Sequence, residues 1–212
     1  MKKLMLAALL GVASVAHAQD GGLFESTFNR YVTYSFSAHY ALSMPLGGQK
    51  NYIDRISPAN LVLQGEAMFP GQFSIGAKSG YQYAQQRLPR QVYTIGDQSI
   101  SAVQTRTLTI VPALLTASYY FTPNNAALRP YVQLAGGGAY VDDTRFYGSL
   151  ADGTSGFRGA FAPAVGVKYY RKKERGLGGE IQAQYQQIGG QDSGFGNSQS
   201  LLISAGITFR GF

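Results

Sequence analysis

Apolar residues occupy every second position from Leu201 to Phe209: Leu201, Ile203, Ala205, Ile207 and Phe209. A two-residue period puts all five side chains on one face of a β-strand. The pattern recurs along the chain and constrains the fold more than any motif does. Each such strand needs apolar surroundings on one side and polar surroundings on the other.

Seven further segments carry it. Val32, Tyr34, Phe36, Ala38, Tyr40 and Leu42 form one row, with Thr33, Ser35, Ser37 and His39 opposite. Leu61, Leu63, Gly65, Ala67 and Phe69 alternate with Asn60, Val62, Gln64, Glu66 and Met68, and the run stops at Pro70-Gly71, a turn signal. Phe73, Ile75, Ala77, Ser79, Tyr81 and Tyr83 then alternate with Ser74, Gly76, Lys78, Gly80 and Gln82, which predicts a tight hairpin. The fourth segment runs from about Thr107 to Phe121, where Pro112 lacks a ladder donor and predicts a bulge or local irregularity. The fifth, Tyr131 to Val141, contains Gly136-Gly137-Gly138, expected to permit sharp bending. The sixth sets Phe157, Phe161, Val165, Val167 and Tyr169 against Arg158 and Lys168 and ends at the charged stretch Arg171 to Gly176. In the seventh, Leu177, Ile181, Ala183 and Tyr185 alternate with Glu180, Gln182, Gln184 and Gln186, the cleanest polar row.

The opening of the chain reads as an export signal. Lys2 and Lys3 precede an apolar run from Leu4 to Val15 and the small-x-small triplet Ala16-His17-Ala18, so cleavage is expected before Gln19. The run is too short to cross a bilayer, which takes roughly 20 apolar residues as a helix. Residues 1–18 are therefore read as a signal peptide and 19–212 as one β-barrel domain, with strands from about residue 29 onward. Loss of two lysines lowers the formal net charge from +7 to +5 and leaves His39 as the single histidine. The absence of cysteine excludes disulfides and thiolate metal sites. A mean hydropathy of −0.09 suits a barrel as well as a water-soluble protein, because lipid-facing and lumen-facing residues cancel. With 27 glycines, 15 tyrosines and only 14% charged residues, the composition favours closed sheets with aromatic girdles.

Loop lengths supply an independent test. The gaps near 43–59, 84–104, 142–156 and 189–198 are long and polar, whereas those near 70–72, 122–130 and 171–176 are shorter, and the two kinds alternate. Transmembrane barrels have short periplasmic turns and longer outer loops. The expected fold is thus all-β: an eight-stranded antiparallel up-and-down transmembrane β-barrel in a bacterial outer membrane.

Three stretches carry a family likeness: Ile110 to Leu115 leading into Tyr119-Tyr120-Phe121; Arg129-Pro130-Tyr131-Val132 with Ala135 to Gly138; and Ala205 to Arg210. In these the chain resembles the outer-membrane protein β-barrel domain family, small eight-stranded barrels of the OmpX, OmpA and OmpW type. The resemblance implies the fold and, through Phe209 and Phe212, a terminal signal for the barrel-assembly machinery. Phe212 is out of register with the apolar row, so a bulge at Gly211 is expected to restore it.

An eight-stranded barrel is just wide enough for side chains to fill. The expected interior network is Gln64, Glu66, Lys78, Gln82, Arg158, Lys168, Glu180, Gln182, Gln184 and Gln186, with Glu66 and Lys78 as a pair on adjacent strands. Charges enclosed together must be paired or hydrogen-bonded. Ser37 and His39 share a face, with Glu66 or Glu180 placed to orient the ring, but no motif of a lipid A-modifying enzyme is present and the alternation sends His39 inward, away from lipid. No catalytic residue, cofactor or metal is therefore assigned. The glycine run is not followed by a helix or a Lys-Ser/Thr pair, so it is no phosphate cradle. The basic cluster Arg171, Lys172, Lys173 and Arg175 is read as a solvated turn rather than a nucleic-acid site. Tyr52, Tyr93, Phe146, Tyr147 and Phe195 are the loop aromatics suited to contact an extracellular protein or glycan. The expected partners are outer-membrane lipids including lipopolysaccharide, the assembly machinery and such a surface ligand. The expected function is non-enzymatic, in envelope integrity or surface interaction through four outer loops. A narrow porin or OmpW-like passage of small or hydrophobic solutes is the alternative, and lipid A modification the third.

Overall fold

The computed structural model describes residues 32–95, 98–148, 150–171, 176–190 and 196–211. Its elements, in chain order, are β1 (Thr33–Leu46), a short helix α1 (Gly47–Tyr52), β2 (Ser57–Phe69), β3 (Phe73–Ile95), β4 (Gln98–Tyr120), β5 (Leu128–Tyr147), β6 (Leu150–Phe161), β7 (Ala164–Tyr170), β8 (Gly176–Ile188) and β9 (Ser198–Gly211).

All strand pairings are antiparallel. Neighbours in sequence pair in turn, β4 joins β5, and β9 returns to β1 from Leu46↔Gln199 to Tyr34↔Gly211. The sheet is therefore closed. β6 and β7 are two pieces of one stave: both pair with β5 on one side and β8 on the other, so the ring has eight staves. The interruption at Ala162-Pro163 divides the expected sixth strand because proline brings no N–H to the ladder. The stave stays in line because Ala162 N–H still donates to Ala135 and Tyr185 N–H to Pro163.

The apolar rows face outward. Leu115 is 73% and Phe157 72% exposed, while polar residues of the opposite rows, Lys168 and Glu180 among them, are buried. This is the reverse of a water-soluble barrel, and only hydrocarbon accommodates such a belt without a large free-energy cost. A concavity of about 650 Å³ lies at the barrel wall between Phe36, Leu63, Leu115, Ile207 and Phe209, with the buried Gln64, Lys78 and Leu114 also in its lining.

Three expectations are changed, narrowed or left outside the described residues. The outer gaps near 84–104 and 142–156 are largely strand: β3 and β4 each run 23 residues and β5 runs 20. Crossing takes about 9–11 residues per strand, so these staves continue well beyond the bilayer, where both faces are wet and no apolar alternation is required. Next, of the two outcomes expected at Pro112, the local irregularity is found and the bulge is not. The β3–β4 ladder omits Gly80 and Tyr81 opposite it but resumes in the same register, and Ser79 Oγ donates to the Pro112 carbonyl at 2.9 Å; the register shift lies instead between Arg87 and Arg90, around Pro89. Finally, β9 holds one register through Gly211, and the return of Phe212 to the apolar row by a bulge there falls outside the described residues. Phe209 faces lipid, Arg210 turns inward, and Phe212 lies outside the described residues. In the glycine run, a Cβ on Gly137 would collide with the β4 backbone and one on Gly138 with the Phe157 ring. These glycines serve close approach of neighbouring staves.

Candidate functional site: the barrel lumen

The lumen is layered. At the end that carries the short turns, the periplasmic floor by the rule that outer loops are the longer ones, the Arg129 guanidinium lies 4.0 Å above the Tyr120 ring, donating to Met68 Sδ at 3.0 Å and to Asn124 Oδ1 at 2.6 Å. Asn124 comes from the β4–β5 turn, which folds under the barrel and donates from Nδ2 to the Phe69 carbonyl at 3.0 Å. Arg210 Nη1 donates to the Asn124 carbonyl, and its guanidinium stacks over Tyr170.

Above the floor sits the charged layer. Lys168 donates to Glu66 and lies 3.6 Å from Glu180. Glu66 also accepts from Gln64 at 2.5 Å, Tyr120 at 2.6 Å and Ser74 at 2.9 Å. Glu180 accepts from Tyr131 at 2.5 Å and Ser37 at 2.7 Å, with His39 Nε2 at 3.0 Å. Two carboxylates thus hold one ammonium, and hydroxyl and amide donors fill their remaining lone pairs, the condition under which buried charge is tolerated.

The next layer is amide. Lys78 donates to Gln133, Gln184 and Gln182 at 2.5, 2.9 and 3.1 Å. Gln82 Nε2 donates to Gln186 Oε1 at 2.8 Å. The ion pair expected between Glu66 and Lys78 is not formed. Glu66 takes Lys168 from the stave across the barrel, and Lys78 is solvated by amides, because closure of the sheet brings opposite staves within side-chain reach. Arg158, at the outer end, pairs with Asp143 at 3.7 Å rather than joining this network. The structure therefore gathers nine of the ten expected interior residues into contiguous layers and places Arg158 near the rim.

The outer half of the lumen is apolar: Leu108, Ile110, Leu114, Val141, Ile188 and several alanines cluster with Tyr52 and Ile53 of the first outer loop. Tyr52 is 3% and Ile53 1% exposed. The expectation that Tyr52 is an exposed contact residue is thus corrected. The loop turns inward and is tied down by Tyr52 OH to Thr144 O at 3.2 Å, Arg106 Nη1 to Tyr52 O at 3.1 Å, Asp54 N–H to Gln86 Oε1 at 2.8 Å and Ser198 Oγ to Gln49 Oε1 at 2.8 Å. Burial holds the Tyr52 phenol above its ordinary pKa, opposed by Arg145 and Arg106. Of the other loop aromatics, Phe146 is exposed and Tyr147 half-buried. Phe195 and the side chain of Tyr93 lie outside the described residues, as do residues 1–18 and most of the basic turn. Sequence reading missed the cap and the arginine floor. The apolar pair Tyr52-Ile53 between two polar stretches was the available signal for the former.

Three solved structures are similar over nearly their full length. Neisserial surface protein A matches with 11% identity, covering 84% of this chain and 96% of that one, at a TM-score of 0.50. Ail of Yersinia pestis matches with 10% identity, 84% and 97% coverage and a TM-score of 0.44. OprG of Pseudomonas aeruginosa matches with 14% identity, 85% and 96% coverage and a TM-score of 0.48. The chain has the fold of the small outer-membrane β-barrels. No protein-family model and no curated protein matches it. At such identities the likeness speaks for architecture, and function has to be argued from the lumen and the outer surface.

Proposed function

We propose that this is a non-enzymatic, non-conducting outer-membrane barrel that stiffens the envelope and presents its extended outer strands for contact at the cell surface. The observation that carries this reading is a set of direct bonds across the diameter. β2 and β7 are opposite staves joined by Glu66 and Lys168, and β3 and β8 are opposite staves joined by Lys78 to Gln182 and Gln184 and by Gln82 to Gln186. A water path has no room on an axis that such bonds cross. The Asn124 turn and the Tyr52-Ile53 cap cover the two ends. Ser37 and His39 both face Glu180 in the sealed interior, and the Ser37 proton goes to Glu180, so neither is presented to a lipid substrate.

Purified protein in planar bilayers is expected to give no steady single-channel current, and a resolvable ohmic conductance would overturn the proposal. A second reading, entry of a small apolar solute into the outer half of the lumen, is favoured by the apolar lining there. It requires the cap to leave, and uptake of a hydrophobic dye into proteoliposomes checks it.

A further inference from the structure

At the outer mouth, Arg106 of β4 and Arg145 of β5 stand directly opposite each other in the ladder. Directly opposed cross-strand residues have Cβ atoms only about 5 Å apart, where like charges are destabilising. Both guanidiniums nevertheless gather on the Tyr52 ring, 5.4 and 5.3 Å from its centroid. Both belong to inward rows, Arg106 with Leu108 and Ile110, Arg145 with Val141 and Asp143, so they point over the lumen rather than toward lipid. Both remain part-exposed.

Among the described residues no carboxylate lies within 4.0 Å of either guanidinium: Asp143, two residues from Arg145 on the same inward row, pairs with Arg158 at 3.7 Å, and Asp152, opposite Arg145 in the β5–β6 ladder, makes no ion pair with it. Arg106 is fixed by Nε to Gln104 Oε1 at 3.0 Å and Nη1 to Tyr52 O at 3.1 Å, bonds that do not use its Nη2 donors. Two guanidiniums gathered on one ring, with spare N–H donors and no ion-paired carboxylate, form a fork matched to a tetrahedral oxyanion.

We propose that Arg106 and Arg145, assembled on Tyr52, bind a phosphate or sulfate monoester group at the outer mouth. Their position above the lumen, remote from the lipid perimeter, points to a group arriving from the medium, such as a phosphorylated or sulfated sugar. The inference goes beyond the closed-barrel reading and does not depend on whether the lumen conducts.

The test is NMR of the arginine Nε–Hε signals in detergent micelles during titration with glucose 6-phosphate and glucose 6-sulfate. A parallel arm uses nanodiscs with and without lipopolysaccharide. Saturable shifts of the Arg106 and Arg145 signals in the micelle arm are expected. Shifts in the lipopolysaccharide arm alone would assign the same anion chemistry to a lipid headgroup. Loss of one charge-assisted contact is worth about a tenfold or greater drop in affinity, so Arg145→Gln is expected to weaken binding by that factor and Arg145→Lys by less. Arg145→Gln is the primary variant because it spares the Arg106 bonds that hold the cap, and heat-modified gel migration verifies its folding. No shift in either arm, or shifts that persist unchanged in a folded Arg145→Gln protein, overturns the proposal.

Discussion

The two halves of the lumen solve one problem by opposite chemistry. The periplasmic half is closed by charge, with Lys168 between Glu66 and Glu180 over a floor of two arginines stacked on tyrosines. The outer half is closed by apolar packing, with Tyr52 and Ile53 seated among leucine, isoleucine, valine and alanine. The polar half belongs to the staves themselves and forms only when the ring closes. The apolar half is completed by a loop laid onto a finished barrel. One closure is therefore tied to global folding, the other to a local docking equilibrium.

The largest effect should come from the charged half. Removing one member of a buried ion pair typically costs about 3–5 kcal/mol, because the partner is left uncompensated. Glu180→Ala would leave Tyr131 and His39 without their carboxylate acceptor and Ser37 with Thr208 alone, and would take one of two carboxylates from Lys168. The expected loss is of that order, measured by urea unfolding in lipid vesicles with gel mobility as readout. A loss under about 1 kcal/mol would mean that solvent reaches this layer, and with it the barrier to conduction would be in question.

How far each half was legible in the sequence follows from the same contrast. Lipid imposes a period of two on every stave, so the inward positions of Glu66, Lys168 and the glutamines of β8 could be read residue by residue. Their partners could not. Glu66 and Lys168 are 102 residues apart and meet only because β2 and β7 are opposite in the closed ring. Alternation encodes a side chain's face but not its partner across the axis. The cap was hard to read for another reason, since only the apolar pair Tyr52-Ile53 marks it. Residues 47–56 carry no periodic row, and α1 is six residues beginning Gly-Gly, with no side-chain cap. That helix exists through its docking and not through local propensity. The strand extensions past Tyr83 and Val141 were missed because water on both faces removes the alternation that marks a strand at membrane depth.

The outer half can be probed without touching the inner one. Truncating a buried isoleucine to alanine costs roughly 2–5 kcal/mol, and a site bordering solvent belongs at the low end, near about 2 kcal/mol. Ile53→Ala should draw that loss from cap docking, so trypsin cleavage at Lys50 and Arg55 should accelerate about thirtyfold, the factor equivalent to about 2 kcal/mol. The urea midpoint of the barrel should move little. A matching fall in that midpoint would instead make cap and barrel one cooperative unit.

The smallest effect sharpens the comparison most, because it sets charge against packing within the same loop. Lys50 and Asp54 form an i,i+4 pair at 3.8 Å whose side chains are 59% and 62% exposed. Exposed pairs of this kind are worth about 0–1 kcal/mol, and screening by salt lowers that further. Asp54→Ala keeps the Asp54 N–H bond to Gln86, since that donor is backbone, and should change the cleavage rate at Arg55 less than about threefold, equivalent to about 0.7 kcal/mol. Ile53→Ala, one residue away, should exceed it by about tenfold. Equal acceleration by the two variants would mean that surface charge, rather than the buried Tyr52-Ile53 contact, holds the outer mouth shut.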